Sequence, residues 1–449
     1  MSSAARPASR RTTLAAVVVL VAGLFASVTA AAPARADNVA TPGNFTGYGF
    51  DQCLAPTQRS MNAWLNHSPF LAVGIYISGD SRACRSQPNL TRDWVSTQLR
   101  RGWRLLPITL GPQASCATRF PRYGNDELIN WRPGSTGKYS TARAQGRAEA
   151  DKAVRAATRL GIVPRSTLWY DLEGFDHTRT HCRESALAFL SGWTSKLHTL
   201  NYVSGVYSSV GSGIKILDDA RVHRPRAFNL PDRIWLARWD GKANTSSSYI
   251  RDDGWRPGGR VKQYQGGHNE TWGGVTINID RNFLDLGKGS WARREVHCDG
   301  VDVDLDNYRG LAPGTTATGR VRALQCLLKE AGVYDGRLNG RYGRATQAAV
   351  HAWQRRRGDA VRDSWSRMNW MTLLAAGERP VAKFGSAGGA VRRIQRALNA
   401  ASNDPRLAIN GVFNRKTDRA LRTYQKRVGI RASGVVNPTT WSALRTGRR

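Results

Sequence analysis

The chain has 449 residues, with 67 Lys and Arg against 33 Asp and Glu, a formal net charge of +34, and six cysteines. At ~100 to 200 residues per domain this length predicts two to four domains, each able to bury its own core, and excludes a single small module. The charge predicts a polyanionic partner, while the absence of a CxxC or Cys/His cluster argues against a bound metal, and no cofactor motif is present.

The first 36 residues read as an export signal. Arg6, Arg10 and Arg11 form a basic n-region, Leu14 to Ala30 an apolar h-region, and Ala34-Arg35-Ala36 a small-x-small cleavage site. The apolar run is short for a bilayer span, no later segment resembles one, and no stable membrane span is expected once the signal is cleaved. The Arg10-Arg11 pair also resembles a twin-arginine signal, but Thr13 stands where an aromatic residue is usual, so both export routes remain open. In an exported chain the even number of cysteines predicts three disulfides. Cys298 and Cys326 flank the start of the C-terminal region and are expected to pair. Cys53, Cys84, Cys116 and Cys182 allow three pairings.

From residue 47 onward, apolar or β-branched runs alternate with segments of helical period, the pattern of βα units on a parallel sheet. Eight runs are present: Gly47 to Asp51, Phe70 to Ile77, Arg104 to Gly111, Thr167 to Glu173, Val203 to Ser209, Arg233 to Asp240, Val261 to Gln265 and Ile277 to Leu284. Helix candidates between them include Thr57 to Asn66, Thr91 to Arg101, Ser140 to Leu160 and Arg183 to Leu200. Eight parallel strands in ~240 residues predict a closed (β/α)8 barrel over 45–287, with little room for full helices in the last units.

After a linker at about Gly287 to Val303 the sequence repeats. Leu324-Gln325, Asn339-Gly340, Tyr342, Thr346, Trp353-Gln354 and Trp370 recur as Ile394-Gln395, Asn410-Gly411, Phe413, Thr417, Tyr424-Gln425 and Trp441, the later pairs offset by 71. Two small all-α modules are predicted, one with its linker in 288–376 and one in 383–446. Thr346 and Thr417 are read as helix N-caps or ligand contacts, and Leu324, Trp353, Ile394 and Tyr424 as core. Residues 301–449 carry 28 Lys and Arg against 10 Asp and Glu.

Acidic residues stand at the ends of three strand candidates: Asp51 in Gly-Phe-Asp, Asp171 and Glu173 in Asp-Leu-Glu, and Asp280 in Asn-Ile-Asp-Arg-Asn. In a barrel these ends converge on one face. Asp171 and Glu173, two apart on a strand, share a side. Crowded carboxylates raise one another's pKa, so one keeps a proton while its neighbour is ionised, the division of labour that glycoside hydrolysis requires. Aromatic and amide residues join them: Tyr207, Trp239, Gln263 and Tyr264 are candidates for binding sugar rings and hydroxyls, with Trp235 assigned mainly to the core.

The order Gly-Phe-Asp, Asp-x-Glu, Gly-Val-Tyr-Ser, Trp-Leu-Ala-Arg-Trp, Gln-Tyr, Asp-Arg-Asn-Phe resembles the family-25 glycoside hydrolases, lysozymes with an eight-stranded barrel. It is most similar to the related actinobacterial glycoside-hydrolase-like domain of unknown function. The resemblance implies a muramidase in which Glu173 is the general acid, Asp171 and Asp280 are its acidic neighbours and Asp51 completes the cluster. An acetamido carbonyl of the substrate is a possible nucleophile.

Gln52-Cys53 departs from the Val-Ser of the lysozymes, and the long segment from Pro112 to Gly137 is extra; both leave open a barrel that binds glycan without cutting it. The repeats resemble the three-helix peptidoglycan-binding module, with Asn414 in place of a glycine in the second copy. The resemblance implies a secreted, cell-wall-associated protein whose partners are peptidoglycan and anionic wall polymers. Nucleic acid fits the charge, but an export signal and the lack of a base-stacking motif argue against it.

Overall fold

The computed structural model describes residues 39–402 and 407–449. The expected export signal lies outside the described residues. The first part is a barrel built from β1 (Phe45–Asp51), α1 (Gln58–His67), β2 (Ala72–Ser78), α2 (Arg92–Arg100), β3 (Arg104–Thr109), α3 (Ser140–Arg159), β4 (Thr167–Leu172), α4 (Thr180–Thr199), β5 (Val203–Ser209), α5 (Gly213–His223), β6 (Arg233–Ala237), β7 (Gly259–Trp272) and β8 (Val275–Leu286). The strands close in sequence order, β1 to β8. α1 and α2 start where the sequence supplies caps, Thr57 accepting from Ser60 N and Thr91 from Trp94 N.

One expectation needs correction: the barrel is not all parallel. β1 to β7 are parallel, whereas β8 pairs antiparallel with both β7 and β1. Only Gly273 and Gly274 separate β7 from β8, at φ +59° and +75°. A two-residue left-handed turn makes a hairpin, and a parallel return needs a crossover of a dozen residues or more. Asp280 is therefore not at the C-terminal end of a strand. It lies inside β8, opposite Asp51, and reaches the mouth of the barrel because β8 enters from that side.

The C-terminal part is helical: α6 (Thr318–Glu330), α7 (Arg344–Arg357) and α8 (Arg367–Leu374), then α9 (Gly389–Ala401), α10 (Arg415–Arg427) and α11 (Pro438–Arg445). The repeated motif has a physical basis. Gln325 Nε2 donates to Thr346 Oγ1 at 3.0 Å while its Oε1 accepts from Gly340 N at 3.0 Å. Gln395 makes the same bridge to Thr417 and Gly411. A buried amide thus ties an Asn-Gly turn to the following helix. Thr346 and Thr417 are buried and are not N-caps; that position belongs to Gly343 and Asn414, and Asn414 accepts from Lys416 N and Thr417 N. The two repeats share one hydrophobic core in which Trp365 and Trp370 join Ile394, Tyr424 and Trp441.

Three disulfides join Cys53 to Cys84, Cys116 to Cys182 and Cys298 to Cys326. The second repeat is fixed to the barrel by Lys383. Its Nζ donates to the carbonyls of Ser68 at 2.8 Å and Phe70 at 3.1 Å, and also to Trp64 and Leu65, at the C-terminal end of α1. The Trp64 carbonyl is also met by Ser68 N at 2.9 Å, whereas Leu65, followed four residues on by Pro69, has no N–H to receive there, and the buried Lys383 Nζ supplies a donor. Among the described residues no helix is long and apolar enough to cross a membrane.

Candidate active site

Parallel strands deliver their C-terminal ends to one rim, and the β7–β8 hairpin adds two inward-facing strands to it. There a cavity of about 280 Å³ is lined by Asp51, Glu173 and Asp280 together with Gln52, Tyr76, Arg82, Arg122 and Asn278. Asp171 lies behind them, 1% exposed, held by Tyr76 Oη at 3.1 Å. Asp51 comes close to β2, and the backbone leaves it room: a Cβ on Gly74 would sit 2.5 Å from the Cβ of Asp51.

An amide network sets the acids. Gln263 Nε2 donates to both Asp51 oxygens at 3.3 Å and to Asp280 Oδ2 at 3.2 Å. Its Oε1 accepts from Tyr207 Oη at 3.0 Å and Trp239 Nε1 at 2.9 Å. Asn282 Nδ2 donates to Asp51 Oδ1 at 2.5 Å and its own oxygen accepts from buried Trp235 at 2.8 Å. On the other side Gln113 donates to the Asp171 carbonyl and accepts from Glu173 N, both at 2.8 Å, so one side chain fixes the backbone between the two acids.

Burial raises every carboxyl here. Asp51 is pushed up to about 8 by burial and then by the charge of Asp280, against the pull of Asn282 and Gln263. Asp280 rises to about 6, again mainly through burial. Asp171 lies well above the usual range through burial and the Glu173 charge, and Glu173 is raised by burial, opposed by Arg119 and Arg122. Among the described residues none of the four carboxylates forms an ion pair. The site therefore combines acids that hold protons near neutrality with acids that release them, the requirement for proton transfer to a leaving group.

The other expected residues divide. Tyr207 and Trp239 meet at Gln263, with the Trp239 ring 66% exposed over Gly266. Tyr264 does not join them. It follows Gln263 on β7, faces the other side, and lines a separate crevice with Phe384 of the second repeat. Trp235 is core. Sequence reasoning left out Tyr76, Gln113, Asn282 and Arg122. Only Asn282 carried a usable signal, being two residues from Asp280 on one strand; Tyr76 lies in an apolar run, and Gln113 and Arg122 lie on the irregular segment anchored by Cys116–Cys182.

Residues 62–284 match the Rv2525c-like, glycoside hydrolase-like domain, and residues 318–361 and 387–444 match the putative peptidoglycan binding domain. Among solved structures, the chain is similar to the Mycobacterium tuberculosis Tat-secreted protein Rv2525c in complex with HEPES, at 13% identity over 54% of this chain and 97% of that one, TM-score 0.36. An uncharacterized B. stearothermophilus protein matches at 17% identity over 53% of this chain and 95% of that one, TM-score 0.34. The modular autolysin LytC from Streptococcus pneumoniae matches at 10% identity over 53% of this chain and 46% of that one, TM-score 0.31. No curated protein matches.

Proposed function

From a chain that carries an Rv2525c-like, glycoside hydrolase-like barrel followed by peptidoglycan-binding modules, we propose an exported glycosidase that cuts peptidoglycan glycan strands while its repeats hold it on the wall. In this reading an export signal occupies 1–36, the catalytic barrel 45–287, a linker and first repeat 288–376, and the second repeat 383–446. The peptidoglycan-binding modules and three disulfides are consistent with extracellular, cell-wall association.

The observation that carries the proposal is the set of buried carboxyls with unequal proton affinities around one cavity, none of them in a salt bridge among the described residues. Glu173 holds its proton above the ordinary carboxylate range and donates it to the glycosidic oxygen as the bond to the anomeric carbon breaks. Asp280, ionised first of the coupled pair, faces the positive charge that develops on the sugar. Asp51 and Asp171 keep that charge balance through their protons, and Asp171 acts through Tyr76. Water adds its oxygen to the anomeric carbon and returns a proton to the cluster. Tyr207 and Trp239, both bonded to Gln263, line the sugar path.

Mass spectrometry of peptidoglycan digested by the mature protein, beside Glu173→Gln, tests this. New reducing ends from the wild type alone are expected, and a wild type inactive on every wall preparation overturns it. A second reading, a non-catalytic glycan-binding barrel, is favoured by one observation: Arg82 and Arg122 line the same small cavity. Sedimentation with the wall that Glu173→Gln leaves intact, without soluble product, is the outcome it predicts.

A further inference from the structure

A second and larger cavity, of about 680 Å³, lies between the barrel and the second repeat. Its aromatic surfaces come from both parts, Tyr48, Tyr264 and Trp272 from the barrel and Phe384 from the repeat. Two of its guanidinium groups are already neutralised: Arg281 by Glu270, and Arg422 by Asp418 at 2.9 Å. Two others are not. Arg415 sits over the Phe384 ring, 6.0 Å from its centre, and Arg419 lies one turn further along α10. Neither meets a carboxylate among the described residues, and both are exposed.

We propose that this crevice is a binding site for a carboxylate-bearing saccharide, separate from the acidic cavity. Aromatic walls pack against the C–H faces of a pyranose ring, and a guanidinium fork pairs with a carboxylate through two parallel hydrogen bonds. A polyol phosphate chain satisfies the arginines and leaves the aromatic walls without a ring to cover. The crevice is large enough for a sugar with its acidic substituent. Its walls are also fixed relative to each other. Lys383 holds the repeat on α1, and Ser290 Oγ joins the two parts by donating to the Gly385 carbonyl at 2.6 Å while accepting from Thr46 N.

Its position relates it to the acidic cavity. Asp280 lines that cavity and Arg281 lines the crevice. The two are consecutive on β8, so the sites lie on opposite faces of one hairpin. A glycan strand crossing the hairpin rim would meet both. The crevice binds its ligand whether or not the barrel is hydrolytic.

The test is calorimetric titration of the full mature chain, in a Glu173→Gln background that prevents turnover, with three probes. These are the N-acetylglucosamine–N-acetylmuramic acid disaccharide, the neutral N-acetylglucosamine dimer and a glycerol-phosphate oligomer. Removing both free guanidinium groups in R415A/R419A is expected to weaken the acidic disaccharide by about 10-fold or more and to leave the neutral dimer unchanged. The control R341A/R344A, with the same loss of charge on exposed residues of the first repeat, is expected to have no effect. Unchanged disaccharide affinity in R415A/R419A overturns the site. An equal loss in the control reduces it to non-specific attraction, and glycerol phosphate binding as tightly overturns the carboxylate assignment.

Discussion

Asp51 and Asp280 stand opposite each other as register partners of β1 and β8, and one amide, Gln263 Nε2, donates to both carboxyl groups, at 3.3 Å and 3.2 Å. Two acids this close and this buried cannot both ionise freely, and Asp51 is the one that keeps its proton.

That pair makes stability depend on pH. The Asp51 carboxyl ordinarily titrates at 3.8 and in the folded chain at about 8. Between those values the native state holds a proton that the unfolded state has released. Stability therefore falls as pH rises through this window and levels off above it. Thermal melts are expected to show the wild type losing Tm between pH 6 and pH 8, with a markedly smaller loss in Asp51→Asn. Parallel curves for the two proteins would contradict the assignment of the proton to Asp51.

Gln263 connects four side chains, so its loss is expected to be felt at all of them. Gln263→Leu leaves Asp51 with Asn282 alone and frees the Tyr207 hydroxyl and the Trp239 indole. The expected cost is about 1 to 3 kcal/mol in urea unfolding. The Trp239 indole N–H resonance, identified by its absence in Trp239→Phe, is expected to move toward the solvent-exposed position.

The Cys116–Cys182 bond closes a sequence separation of 66 and anchors the segment that carries Gln113, Arg119 and Arg122. In the chain-entropy description such a loop contributes roughly 4 kcal/mol. C116A/C182A is expected to accelerate hydrogen exchange across 112–137 more than across the β7–β8 hairpin. It is also expected to raise the Glu173 pKa, because Arg119 and Arg122 oppose the effect of burial on that carboxyl. An NMR titration of Glu173 reads the second effect directly.

Lys383 is the clamp between barrel and repeat, and burial lowers its pKa well below the ordinary lysine value. Lys383→Met keeps the stem and removes the donor, leaving the carbonyls of Leu65, Ser68 and Phe70 short of a partner, while that of Trp64 keeps Ser68 N and Oγ. A loss of about 2 to 4 kcal/mol is expected, since each buried carbonyl left unmet costs on the order of 1 kcal/mol or more. Hydrogen exchange at the end of α1 and along 381–386 is expected to rise together. A change confined to the repeat would mean that the clamp does not couple the two parts.

The sequence by itself determined whatever depends on local periodicity. Alternation along a strand led to the expectation that Asp171 and Glu173 share a side, although β4 ends at Leu172, and helical period with a constant offset marked out the repeats, because repeat length is a property of the chain alone. The (β/α)8-type closure was legible for the same reason, from eight apolar runs.

Tertiary structure decided everything that depends on which strand lies beside which. The direction of β8 follows from a two-glycine turn that periodicity does not register, and it changes how Asp280 reaches the rim. Tyr264 is displaced from the acidic site by a single residue of parity, since Gln263 takes the inward position. Gln113 and Arg122 come from an irregular segment, where no period links sequence to side-chain direction. The common core of the two repeats joins side chains from separate modules, and the Lys383 clamp joins groups more than 300 residues apart; only the folded packing brings them into contact.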